Sequence, residues 1–246
     1  MSRMFRVAID GPGASGKSTT AKLLAKRLGF CYIDSGAMYR AVTLKCLEQG
    51  INPNEAKHND EIGELTANMK IRFPSFGVTE MDGRDVSELI RRSDIVRHIS
   101  PIAANPRVRE TLAEQQRALA RGDLGEMGQG STIPGTSTHI QGVVMDGRDI
   151  GTVILPDAEL KVFLIADPYI RAKRRFDEMV AKGQTSDSLE DIVRDLKARD
   201  EADRTRTISP LKKADDAVEL DTSHCSIADQ VEAIQKMVYE RAKKLY

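Results

Sequence analysis

The sequence has no tryptophan and only 4% aromatic residues. Single-stranded nucleic acid is held on rings that its bases stack against, so this partner class has little to bind here. A charge excess is also missing: Lys plus Arg and Asp plus Glu number 37 each, which denies the chain a global basic field. Any cationic chemistry must therefore be local. Cysteines are few, at positions 31, 46 and 225, with no C-x-x-C and no accompanying His spacing, which excludes a zinc framework and points to a reducing compartment. No apolar run approaches the roughly 20 residues that a bilayer demands. The N-terminus reaches a glycine loop before a signal core could form. The expectation is a cytoplasmic protein, monomeric, with neither a membrane nor a nucleic-acid partner. Its 40% hydrophobic content is ample for a buried core.

What is present is concentrated at the start. The apolar run Val7-Ala8-Ile9 leads into Asp10-Gly11-Pro12-Gly13-Ala14-Ser15-Gly16-Lys17-Ser18-Thr19, and Gly11 to Ser18 match G-x-x-x-x-G-K-[ST] in full. Such a loop turns its backbone N–H groups inward around an anion, and side chains at Gly11, Gly13 and Gly16 would obstruct the approach. Lys17 can reach the β- and γ-phosphates, and the Ser18 hydroxyl can ligate Mg²⁺. Ala21, Leu24, Ala25 and Leu28 then share one helical face, so the phosphates also sit at a helix N-terminus. A Gly/Ser turn between core elements is the bland reading; strand, loop and helix in the required order favour a nucleoside triphosphate site.

Downstream, Phe30 to Ile33 reads as a second strand, and Asp34 or Ser35 caps a helix to about Gln49 that carries Tyr39 and Arg40. The stretch 59–98 changes character: a short helix, two β-like runs and Asp82-Gly83 as a hairpin turn, read as an inserted module. Asn105 and Pro106 open another helix whose first turn holds Arg107 and Arg109, where the macrodipole disfavours cations unless an anion compensates. Residues 122–142, rich in Gly, Ser and Thr, read as a flexible loop. Val143 to Met145 form a strand ending in Asp146, placed as the second Mg²⁺-organising acid of phosphate-loop enzymes, and Gly147-Arg148-Asp149 follow. Leu160 to Ala166 and Ala217 to Leu220 complete about five strands, while Ile227, Val231, Ile234, Val238, Ala242 and Leu245 form the apolar stripe of a closing helix. Strands and helices alternate outside the module, so the fold class is α/β with a parallel sheet. The arginine-rich region 169–210 reads partly as solvated helix faces and partly as a helical lid.

A hydroxyl acceptor calls for a positioned base, whereas a phosphate acceptor calls for cations. Arg40, Arg109 and Arg148 lie on separate segments near expected strand ends or helix starts, which suits a phosphate. A different small kinase and a nucleotide-gated nucleic-acid module remain as alternatives. Together, residues 11–19, Asp34-Ser35-Gly36 with Tyr39-Arg40, residues 105–109, residues 146–153 and the Arg199 to Arg206 cluster resemble the bacterial cytidylate kinases over nearly the whole chain. That resemblance implies ATP as phosphoryl donor, Mg²⁺, and CMP and dCMP as acceptors. It implies that residues 11–19 bind ATP and that Ser18 and Asp146 hold the metal. Ser35, Arg40, Ser100, Arg109, Arg148, Asp149, Asp203 and Arg206 would contact the monophosphate, with Ser100, Asp149 and Asp203 reading cytosine. Lys17, Arg148, Arg199 and Arg206 would act on the transferring group. The resemblance further implies a core of residues 1–58 and 99–246, with 59–98 as a monophosphate-binding module.

Overall fold

The computed structural model describes residues 4–122, 128–181, 183 and 188–246. Parts of the expected loop (123–127) and of the expected lid (182 and 184–187) lie outside the described residues.

The chain begins β1 (Phe5–Asp10), α1 (Lys17–Leu28), β2 (Cys31–Asp34) and α2 (Ser35–Glu48). It continues through α3 (Asn59–Ala67), β3 (Ile71–Arg72), β4 (Glu80–Met81), β5 (Arg84–Asp85), α4 (Ser93–Arg97), α5 (Ile99–Ala104) and α6 (Pro106–Ala120). The remainder is β6 (Ser131–Thr132), β7 (His139–Ile140), β8 (Gly142–Gly147), β9 (Leu160–Ile165), α7 (Pro168–Ala181), α8 (Leu189–Thr205), β10 (Val218–Asp221) and α9 (Ile227–Leu245).

The main sheet has five strands in the order β10-β9-β1-β8-β2, and every pairing in it is parallel. A parallel sheet is covered on both faces, which explains why its three inner strands β9, β1 and β8 are nearly continuous apolar runs, whereas the edge strand β10 alternates half-buried and exposed residues. Along β1, Val7 and Ile9 pack with Leu24 of α1 and Ile234 of α9, while Ala8 points to the opposite cluster around Met38 of α2. The register sets Asp146 opposite both Ile9 and Asp34, and Gly147 opposite Asp10. Three strand-terminal carboxylates therefore meet at the carboxyl edge of the sheet, where open α/β sheets bind ligands.

The module at 59–98 has no core of its own. Ile62, Met69, Ile71, Met81, Val86, Ile90 and Ile95 belong to the same buried cluster as Ile33, Met38 and Met145. Its Asp82-Gly83 turn has positive φ at both residues, 51° and 84°, the primed geometry that a two-residue hairpin needs. The short helices α4 and α5 are not legible as helices in the sequence.

The loop expected at 122–142 is a correction: β6 and β7 pair antiparallel there. Ile133 and Ile140 are only 1% and 3% exposed and join the cluster of α1 and α9. Two apolar anchors among Gly, Ser and Thr are too few to give a periodic signal. The stripe on α9 packs as expected through Ala242, but Leu245 is 55% exposed. Between them α7 and α8 bury only Arg171, Ala172, Ile192 and Asp200, so polar contacts hold them to the body of the protein.

Candidate active site

Gly16, in the left-handed region at φ 89°, starts α1 without a side-chain cap, so the amides of its first turn are left for an anion. Gly11 is required for a different reason from the one its motif suggests: φ is 152°, and a Cβ there would overlap the Leu164 carbonyl oxygen of β9. Packing against the sheet, not approach to an anion, forbids the side chain. The Lys17 ammonium bends back to the Pro12 carbonyl oxygen at 2.8 Å, and burial, reinforced by Arg148, brings its pKa down to about 7.

At the sheet edge the Ser18 hydroxyl donates to Asp146 Oδ2 at 2.6 Å, and the Tyr32 hydroxyl donates to Asp146 Oδ1 at 2.9 Å. Burial and the neighbouring Asp34 push the Asp146 carboxyl up to about 6. Asp10, pushed up to about 7 by burial, accepts the backbone N–H groups of Ile150 and Gly151 at 2.9 and 2.7 Å. It thereby pins the turn carrying Arg148 and Asp149 to the strand that leads into the phosphate loop.

Five arginines converge from four segments, Arg199 and Arg206 both belonging to α8 and its C-cap. Arg40 of α2 pairs with Asp34 at 2.9 Å, Arg109 of α6 pairs with Asp149, and Arg148 pairs with Asp203 of α8 at 2.8 Å. Arg206 lies 3.7 Å from Asp149 and 3.6 Å from Asp203. The tension between cations and the α6 macrodipole is relieved inside the protein: Asp149 faces Arg109, and Asp60 faces Arg107 at 3.4 Å. Arg199 has no carboxylate within ion-pair distance among the described residues, and burial, followed by repulsion from Arg148, holds its pKa down to about 10. Among the described residues, Arg40 Nε, Arg109 Nε and Arg206 Nη2 are buried donors with no hydrogen-bond partner.

These groups surround one cleft of about 960 Å³. Every predicted site residue lines it except Gly11, Pro12 and Ser15. Gly11 packs on β9, the Pro12 carbonyl holds Lys17, and the Ser15 side chain is fully buried. Ser35 donates to the Asp146 carbonyl oxygen at 2.7 Å, and Ser100 is exposed at the cleft wall on α5. Asp10 and Tyr32 were not singled out by sequence reasoning. The signal for Asp10 was available, because it closes β1 as Asp146 closes β8.

A parallel sheet, a phosphate loop running from its central strand into α1, and a cationic cleft above its carboxyl edge define a phosphate-loop kinase. The sequence comparisons narrow this class. The cytidylate kinase family model matches residues 7–130 and 135–240, and the chain belongs to that family. It is 49% identical over 234 residues to a cytidylate kinase of Chlorobaculum tepidum, covering 94% of this chain and 92% of that protein. It is 45% identical over 247 residues to one from Bacteroides fragilis, covering 98% and 99% respectively.

Proposed function

We propose that the cleft transfers the γ-phosphoryl group of ATP to the phosphate of CMP or dCMP, and that the protein does so as a cytoplasmic monomer. The observation that carries this reading is the convergence of Lys17, Arg40, Arg109, Arg148, Arg199 and Arg206 on one cleft, where Arg199 has no carboxylate within ion-pair distance among the described residues. Crowded cations with buried donors left without hydrogen bonds call for an anion of high charge. Two facing phosphates supply it.

In this reading residues 11–19 hold the triphosphate, through backbone amides and Lys17. Ser18 and Asp146 suit Mg²⁺, since both offer hard oxygen donors and these lie 2.6 Å apart. When bound, the metal neutralises charge on the β- and γ-phosphates. Ser35, Arg40, Arg109, Arg148 and Arg206 hold the monophosphate, and Ser100, Asp149 and Asp203 read its base. The acceptor needs no general base, because a phosphate with a second pKa of ~6 is already largely dianionic near neutrality. One of its oxygens attacks the γ-phosphorus, the bond to the β-phosphate oxygen breaks, and ADP leaves. Arg148, Arg199 and Arg206 stabilise the charge spread over the transferring group. Residues 59–98 form the acceptor module and 169–210 the lid that excludes water.

The test is ADP release from Mg-ATP with CMP, dCMP, UMP, AMP, GMP or dTMP supplied separately. Strong stimulation by CMP and dCMP, lost in Arg148→Ala, is expected. No stimulation by any monophosphate would overturn the reading.

A further inference from the structure

Helix α8 carries Arg199 and Asp203, yet almost nothing apolar fixes it: Ile192 and Asp200 are its only buried residues. Besides the Arg148–Asp203 pair and Leu196, which lies against Gly13, the contact that ties it to the phosphate loop is ionic. Arg171 of α7 and Asp200 of α8 are 3% and 4% exposed and pair at 2.6 Å. Arg171 Nη1 donates to the Gly13 carbonyl oxygen at 3.0 Å and its Nε to the Ala166 carbonyl oxygen at 3.0 Å. Asp200 Oδ1 accepts the Gly13 N–H at 3.3 Å. Both backbone groups of Gly13, near the apex of the phosphate loop, are thus occupied by one ion pair that joins the two lid helices.

A buried pair of this kind is a poor source of stability, since its desolvation offsets much of its attraction and an apolar pair of similar volume often does as well. What it supplies is direction. A planar guanidinium held by two carbonyls and a carboxylate has one orientation, and successive residues of an α-helix turn by about 100°. Fixing Asp200 on Gly13 therefore fixes both the rotation and the axial position of α8. Arg199 is its immediate neighbour, and Asp203, one turn on, meets Arg148.

We infer that Arg171 and Asp200 are positioning residues for phosphoryl transfer: they lock α8 onto the phosphate loop so that Arg199 is aimed at the transferring group. The inference rests on the kinase reading given above. Neither side chain touches a reacting atom; both act through Arg199.

The test measures kcat, the KM values for ATP and CMP, and the thermal midpoint for wild type, Asp200→Asn, the apolar double variant Arg171→Met/Asp200→Leu, and Arg199→Ala alone and combined with each. Misplacing a group by about 1 Å can cost on the order of 100-fold. The expected result is a fall in kcat of about 10- to 100-fold in both Asp200 variants, with KM changed less than about threefold, because the interaction lost belongs to the transition state. The double variant, which leaves no buried charge, keeps a near-wild-type midpoint and so separates positioning from folding. Adding Arg199→Ala to either background lowers kcat by less than about threefold more, because coupled residues are not additive. Wild-type kcat in the folded double variant, or full additivity with Arg199→Ala, overturns the inference while leaving the kinase reading intact. A wild-type protein that CMP does not stimulate removes both.

Discussion

Burial by itself would raise the Asp203 carboxyl, but Arg148, Arg199 and the hydrogen bond from Arg148 outweigh it and hold the group below its usual range. A carboxylate with a depressed folded-state pKa contributes stability above its unfolded pKa and loses it as the pH falls through the folded value. The thermal midpoint of the wild type is therefore expected to drop as the pH goes below about 4, and Asp203→Asn to show a lower midpoint at neutral pH with a shallower acid decline. Midpoints measured across that range check both slopes. At this scale part of the candidate site was legible. Spacing alone singled out Lys17 and Ser18 as candidates, because few other chemistries use that pattern, and both line the cleft. Asp10 and Asp200 escaped, since an acid closing a strand or lying on a charge-dense helix has the same letters as a solvated one. Only the parallel register and the packing of α8 show that Asp10 and Asp200 are buried at 4% exposure each.

Among the elements, α6 joins local sequence to the site most directly. Asn105 accepts the N–H groups of Arg107 and Val108 at 3.0 and 3.2 Å, and its own amide donates to the Asn59 carbonyl oxygen at 2.9 Å. One side chain thus starts the helix that carries Arg109 and ties it to the first residue of α3. Asn105→Ala should cost about 1–2 kcal/mol, at the upper end for a cap because the link to α3 is lost as well. Urea unfolding would register this as a lower midpoint with an unchanged slope. The inner strands β1, β8 and β9 were legible because burial on both faces makes them nearly continuous apolar runs. Helix α5 and the β6–β7 hairpin were not, because at two to six residues their pattern is shorter than any period and tertiary contacts decide their conformation.

Across the whole molecule, residues 59–98 share their buried cluster with α2 and the sheet, whereas helices α7 and α8 bury little. The module is therefore expected to unfold together with the sheet in one transition, and its excised peptide to remain unfolded. Helix α8 should exchange its amide hydrogens faster than α1 or α2 and slow when ATP and CMP are added together. Exchange followed by mass spectrometry checks each part; a protected peptide 59–98 in isolation would contradict the shared core. The equal totals of acid and base have a further consequence. More arginine and lysine than carboxylate line the cleft, so the remaining surface carries a matching negative excess. The expected consequence is a weak net repulsion of polyanions away from the mouth, against a mononucleotide small enough to enter where the sign reverses. Such a partition of charge would favour short anions over long ones, which inhibition by oligonucleotides of increasing length would measure.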